Sequence, residues 1–328
     1  MLTEPGSWKF GADTLPWRLA KDKPAGARRA PGKTDTPEAR RMAQGSIWPD
    51  NAQLAMSFVV NVEEGAEYSP REGDRHPEPV DELGIALKRP VRNLGNESSY
   101  LYGVHAGAPR VMALLEGYGI RATFTAAAVA LERAPELARA IVAGGHEVCA
   151  HGYRWIHQFS MDEAAEREFI RKAAASIETT TGQRPYGWLS RYLFSEHTRR
   201  LLIEEGFTYH MDDYSDDAPF WDVVDGRAIV VVPYALDSND MKMWTAPALT
   251  PEQWLAYAIE TFQVLYEEGA TRPRMMSLGV HLRIIGRPGR IRAFQRFVQH
   301  VRSQPRVWIA TRREIAERWA AANPRRLA

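Results

Sequence analysis

The residues with catalytic potential gather at the ends of apolar runs. Asn61, Glu63 and Glu64 lie at or just after the end of LAMSFVVNV (Leu54 to Val62). His151 ends HEVCAH, Arg191 ends YGWLSR, Asp212 and Asp213 follow FTYHM, and His281 ends MMSLGVH. A single polar residue at a strand end is ordinary. A set of them at equivalent ends of parallel strands can converge, because active sites of parallel α/β barrels form at the carboxyl ends. Adjacent carboxylates such as Glu63 and Glu64 can hold different pKa values, one serving as base and the other as ligand or orienter. His281 suits general acid work. Gly152 after His151 permits close approach of a substrate or a metal. A metal-binding pair would place its second His about four residues on, along a helical turn. Trp155 stands there instead, and the next His is His157. The segment Met211 to Asp217 holds Asp212, Asp213, Asp216 and Asp217. Most of these must be solvated, since clustering unpaired charges costs too much.

The elements that position these residues read as alternating strands and helices. Apolar runs at Leu54 to Val62, Arg121 to Ala128, His146 to His151, Tyr186 to Arg191, Phe207 to Asp212, Ala228 to Tyr234, Met275 to His281 and Arg306 to Thr311 are strands. Between them lie amphipathic patterns with helix punctuation. PELARAIVAGG begins on Pro135 and stops on Gly144, and Thr250 with Pro251 begins a segment that stops at Gly269. Repeated strand and helix predict one α/β domain over residues 51–328 with a mostly parallel sheet. Periodicity does not choose between a barrel and a doubly wound sheet. Residues 1–50, rich in Gly, Pro and Arg, read as an extended N-terminal arm.

Composition narrows the partners. Lys and Arg total 42 against 41 Asp and Glu, a formal charge of +1. That balance argues against nucleic acid and against a basic membrane-facing surface. Cys149 is the one cysteine, so no intramolecular disulfide forms. No apolar stretch approaches the roughly 20 residues of a membrane span. The opening MLTEPGSWKFGAD lacks a signal-peptide layout, and a cytoplasmic protein is expected. The 10 Trp, 12 Tyr and 11 Phe either pack the core or wall an aromatic pocket.

FVVNVEEG, AHGYRWI, TGQRPYGWLSR, DDYSDDAPFW, VVPYALDSNDM, LYEEGA and HLRIIGRPGR, in this order, resemble the polysaccharide deacetylase (NodB-homology) superfamily. They are most similar to its branch of cofactor-independent allantoinases and cyclic-imide hydrolases. The resemblance runs from about Ala52 to Asn323. It implies a distorted (β/α) barrel, hydrolysis of a non-peptide C–N bond, and a cytoplasmic homo-oligomer, tetramer or dimer. Glu63-Glu64-Gly65 matches the superfamily's Asp-Asp-Gly segment, in which the first acid is the base and the second binds metal. His151 matches the first His of a pair whose second member is here Trp155. Arg191 matches the arginine that orients the catalytic carboxylate, Asp212 or Asp213 the acidic patch, and His281 the catalytic acid. Where the branch reads Tyr-Gly-x-Arg-x-Gly, this chain has His105 in place of the Arg, and Trp188-Leu189-Ser190-Arg191 is one residue short. Losing that bidentate donor points away from allantoin itself.

The expectation is a hydrolase of a small amide, cyclic imide or ureide, acting by base-activated water attack on a carbonyl. Glu63, Arg191, His281 and Asp213 form the catalytic set. Asn61, His105, Tyr153, Trp155, Trp188 and Trp221 border the substrate. A metal-free site is favoured over a zinc site built from Glu64, His151 and His157. The alternatives are an N-acetyl-glycan deacetylase and a non-catalytic small-molecule binder on the same scaffold.

Overall fold

The structure is a computed structural model that describes residues 46–325. The arm expected over residues 1–50 lies outside the described residues apart from its last few. Those few are tied down. Trp48 is buried and donates its indole N–H to the Arg274 carbonyl at 3.0 Å.

The strands are β1 (Leu54–Val62), β2 (Thr123–Ala126), β3 (Glu147–Ala150), β4 (Gly187–Trp188), β5 (Tyr209–His210), β6 (Phe220–Val224), β7 (Arg227–Val231), β8 (Met275–His281) and β9 (Val307–Ile309). Each of the apolar runs holds one strand, and β6 is an addition. The sheet order is β6-β7-β5-β4-β3-β2-β1-β8, with β9 against β1. Every pairing is parallel except β6 with β7. The sheet curls into a distorted (β/α) half-barrel, and its hydrogen bonding leaves β6 and β8 at the two ends. The β6–β7 hairpin turns on Asp225-Gly226, both with positive φ, the backbone that a tight two-residue hairpin demands. Its sequence signal was an Asp-Gly pair between apolar stretches.

β1 is buried along its whole length, as a parallel strand covered on both faces must be. Its side chains alternate. Leu54, Met56, Phe58, Val60 and Val62 pack with the helices, while Ala55 and Val59 pack with Cys149, Tyr209, Met211, Val232 and Tyr234 inside the curl. Asn61 shares the inner parity. The helices start where caps allow. Thr250 and Thr311 each form a capping box, at the heads of Pro251–Glu268 and Arg312–Ala322. Because the strands run parallel, their carboxyl ends share one side of the sheet. Glu63, His151, Arg191, Asp212 and His281 all lie there.

Leu94–Tyr102 forms a helix that passes through a π turn, Gly103–Gly107, into Ala108–Gly117. The turn packs against the short helix Leu282–Ile285 that follows β8. A Cβ on Gly107 would stand 2.1 Å from the Leu282 carbonyl oxygen, a backbone atom that cannot swing aside. Gly107→Ala should therefore cost about 1–3 kcal/mol of stability through overpacking, although Ala is the better helix former. Gly289→Ala, where nothing lies within 4 Å, should change stability by less than about 0.5 kcal/mol. Urea denaturation of both variants measures the contrast, and equal midpoints would contradict it.

Candidate active site

A cavity of ≈ 290 Å³ opens at the carboxyl ends of the strands. Asn61, Glu63, His151, Tyr234 and His281 line it, with Trp155, His157, Arg191, Tyr192 and Tyr214 among the walls. Glu63 is almost wholly buried. Its Oε1 faces His281 Nε2 at 3.3 Å and His151 Nε2 at 3.4 Å, and its Oε2 lies 2.7 Å from an Arg283 guanidinium nitrogen. Burial alone would raise its pKa, but Arg283 and then His281 outweigh it and hold the carboxyl well below its ordinary range.

His281 is backed by Asp240. Asp240 accepts from His281 Nδ1 at 2.7 Å and from the His281 backbone N–H at 2.8 Å. With Nδ1 carrying a proton, Nε2 is the atom turned to Glu63. Burial favours the neutral ring, yet Glu63 and Asp240 carry the His281 pKa up to about 9. The imidazolium is thus the resting form at neutral pH.

Glu64 behaves differently. Its oxygens accept the backbone N–H groups of Glu63 at 3.0 Å and Arg283 at 3.2 Å. Desolvation dominates there and raises its pKa despite Arg283. The two adjacent carboxyls are split as expected for unlike roles.

The donor atoms that a metal would need are otherwise engaged. His151 Nδ1 lies 2.6 Å from the Leu189 carbonyl, which can only accept, so Nδ1 carries the proton. His151 Nε2 then accepts from the Trp155 indole N–H at 3.1 Å. The lone pair a metal would take is occupied by Trp155, standing where a second ligand was expected. His157 Nδ1 contacts the Arg191 carbonyl at 2.9 Å. Among the described residues no group of three or more His, Cys, Asp or Glu is placed to hold a metal ion. Glu64, His151 and His157 therefore do not form the ligand set considered for zinc.

Other expected site residues fall elsewhere. Arg191 borders the cavity but does not orient Glu63. It forks onto Glu78 at 2.8 and 2.6 Å, donates to the Trp155 carbonyl and stacks 3.7 Å over the Trp155 ring. Arg283 takes the partnership expected of Arg191. Asp213 pairs with Arg199 at 3.0 Å and accepts from the Ser215 hydroxyl, outside the cavity lining. Trp188 is fully buried, bonded to Ser190 and packed on Phe169 and Phe207, because β4 turns it toward the helices. Trp221 sits on β6, donates to the Asn323 carbonyl and packs edge-on against Trp319, and it does not line this cavity. Tyr153 lies under the Lys172 ammonium, 4.0 Å from its ring centre. His105 is exposed on the π turn, away from the lining. Asn61 and Trp155 do line the cavity.

Arg283, Asp240, Glu78 and Tyr234 are the residues the sequence reading missed. Arg283 carried a usable signal, two positions beyond His281. Asp240 and Tyr234 lay within the motif VVPYALDSNDM without a role.

The family model for polysaccharide deacetylase matches residues 99–210. A Schizosaccharomyces pombe protein named "Putative polysaccharide deacetylase" is 34% identical over 311 residues, covering 88% of this chain and 97% of that one. A solved structure titled as a "probable Polysaccharide deacetylase" from Pseudomonas aeruginosa PAO1 is 43% identical, with TM-score 0.82 over 85% of this chain and 95% of its own. A second, titled "Puue Allantoinase", is 41% identical, with TM-score 0.82 over 85% and 94%. Identity at this level across most of each chain, on a shared barrel, shows that the chain belongs to the polysaccharide deacetylase family.

Proposed function

We propose that the chain hydrolyses a non-peptide C–N bond in a small amide, cyclic imide or ureide. The observation that carries this reading is Glu63, an ionised carboxylate set between a protonated His281 and Arg283 beside a small cavity. A volume of ≈ 290 Å³ suits a small molecule. The cations that line it are paired, Arg191 with Glu78 and His281 with Glu63 and Asp240, and Arg283 behind them pairs with Glu63. With Pro79, Val80, Leu189, Leu236 and Met241 in the walls, a neutral substrate fits better than a carboxylate.

A water beside Glu63 attacks the carbonyl carbon and gives its proton to Glu63. The carbonyl electron pair moves to oxygen. The tetrahedral adduct then collapses, the C–N bond breaks, and His281 Nε2 protonates the leaving nitrogen. The low pKa of Glu63 does not bar it from acting as base. Arg283 and then the His281 cation hold its carboxyl down, so its gain of the water proton is coupled to the shift of the His281 proton toward the leaving nitrogen. The sites then reset by passing the Glu63 proton across the 3.3 Å gap to His281. This route is drawn without a metal, a reading supported by the Trp155 indole N–H on the His151 Nε2 lone pair.

Glu63→Gln should lower kcat by about 10²–10⁴ on any substrate the wild type turns over. An unchanged rate would sink the mechanism. The pH profile of kcat/KM should stay high at neutrality and fall near pH 9 as His281 loses its proton. Asp240→Asn removes a charge that raises the His281 pKa, so its alkaline limb should move to lower pH. A limb that stays in place would contradict the pairing. Dialysis against a chelator should leave activity intact, with metal analysis below stoichiometric. Loss of activity restored by zinc would defeat the metal-free reading.

A second reading is supported by the name of the S. pombe relative, a deacetylase. The same base and acid would serve N-acetyl amide hydrolysis. Acetate release from chito-oligosaccharides, against ring opening of cyclic imides or hydantoins, decides between them.

A further inference from the structure

The attack on the carbonyl creates an oxyanion, and the machinery so far offers it no donor. His281 faces Glu63, Arg283 is spent on carboxylates, and the His151 ring presents an acceptor to the Trp155 N–H. Tyr234 is different. It follows β7, lines the cavity, and places its hydroxyl inside the curl of the sheet. The Asn61 side-chain amide donates to its oxygen at 3.1 Å, and the Asn239 amide does so at 2.8 Å.

The orientation of both amides is fixed by their other ends. Asn61 Nδ2 also donates to the Val280 carbonyl, while its Oδ1 accepts from the Thr125 hydroxyl. Asn239 Oδ1 accepts from the Met241 backbone N–H. Neither amide can turn its oxygen to Tyr234 without losing these bonds. The phenolic oxygen is therefore an acceptor twice over, and its own proton must point away from both asparagines. Burial first, then the Asp240 and Glu63 charges, also keep the phenol protonated. β8 makes room for it: a Cβ at Gly279 would lie 2.0 Å from the Tyr234 hydroxyl oxygen.

We infer that Tyr234 donates its hydroxyl proton as a hydrogen bond to the carbonyl oxygen of the substrate as that oxygen becomes an anion, with Asn61 and Asn239 as positioning residues that aim it. This rests on the hydrolytic reading of the site. The phenol keeps its proton throughout. The bond strengthens as charge develops, which is the condition for accelerating the chemical step.

The test uses the full chain and three probes: a cyclic imide, a hydantoin and a chito-oligosaccharide. On whichever the wild type hydrolyses, Tyr234→Phe should lower kcat about 10²–10³-fold. KM should change little, and the alkaline limb of the pH profile should stay in place. Asn239→Asp supplies the second arm. It retains the acceptor for Met241 N–H but offers Tyr234 a carboxylate oxygen, drawing the phenolic proton inward. It should reproduce most of the loss with the hydroxyl still present. The double variant should be little slower than Tyr234→Phe, because both delete one interaction. Wild-type kcat in Tyr234→Phe overturns the proposal, as does a fully active Asn239→Asp. If the loss comes with a moved pH limb, Tyr234 acts through the Glu63–His281 pair and the proposal also falls. If the wild type turns over none of the probes, the hydrolytic reading fails first and takes this one with it. Wild-type turnover matched by Tyr234→Phe removes the tyrosine alone.

Discussion

The site depends on a charge that ought not to be buried. Glu63 is kept ionised in a nearly dry position, where an unpaired carboxylate would neutralise instead. Two cations prevent this. Arg283 is wholly buried, and its guanidinium lies between ring faces, 4.2 Å from Tyr100, 5.0 Å from Trp244 and 5.3 Å from Trp155. Those π faces solvate the cation where water cannot, and Glu63 then binds to its edge. His281 is the second cation, and Asp240 is the second anion that secures it. Glu63 and Asp240 face Arg283 and His281, while burial raises the pKa of the neighbouring Glu64 carboxyl. Removing any one member leaves a buried charge unmatched.

Trp155 holds several groups at the cavity in place at once. Its indole N–H occupies His151, its ring carries Arg191 on one side and approaches Arg283, and its carbonyl accepts from Arg191. A histidine there could offer a lone pair to a metal. An indole offers a proton instead, and here its ring forms a fixed part of the cavity wall. Arg191, held by this ring and by Glu78, then shapes the cavity rather than tuning the base.

The polar groups inside the curl are ordered from below as well. Arg312 enters from the head of the last helix and donates to the Pro233 carbonyl and to the Ser277 hydroxyl. It ties the segment after β7 to β8. Tyr234 follows Pro233, and Gly279 lies two residues beyond Ser277, so the packing of the inner face bears on the groups facing the cavity.

The sequence by itself determined the strands, the helix caps and the side of the sheet on which the chemistry lies. These are local properties: apolar runs, Thr-Pro and Pro-Gly punctuation, and polar residues at run ends. It also placed Glu63, His151, Trp155 and His281 at the cavity they line, since parallel strands bring their carboxyl ends together whatever the details. Only the tertiary structure decided which partner each charge takes. Glu78 lies 113 positions from Arg191, and Asp240 lies 41 from His281. Such pairings are selected over less than an ångström by burial and hydrogen-bond geometry, which no spacing encodes. The facing of the aromatic residues was decided the same way. Trp188 lies three positions from Arg191 and Trp221 eight from Asp213, but β4 points one to the helices and the β6 hairpin carries the other to the edge. Strand alternation reverses a side chain with each residue, so nearness along the chain did not become nearness to the cavity.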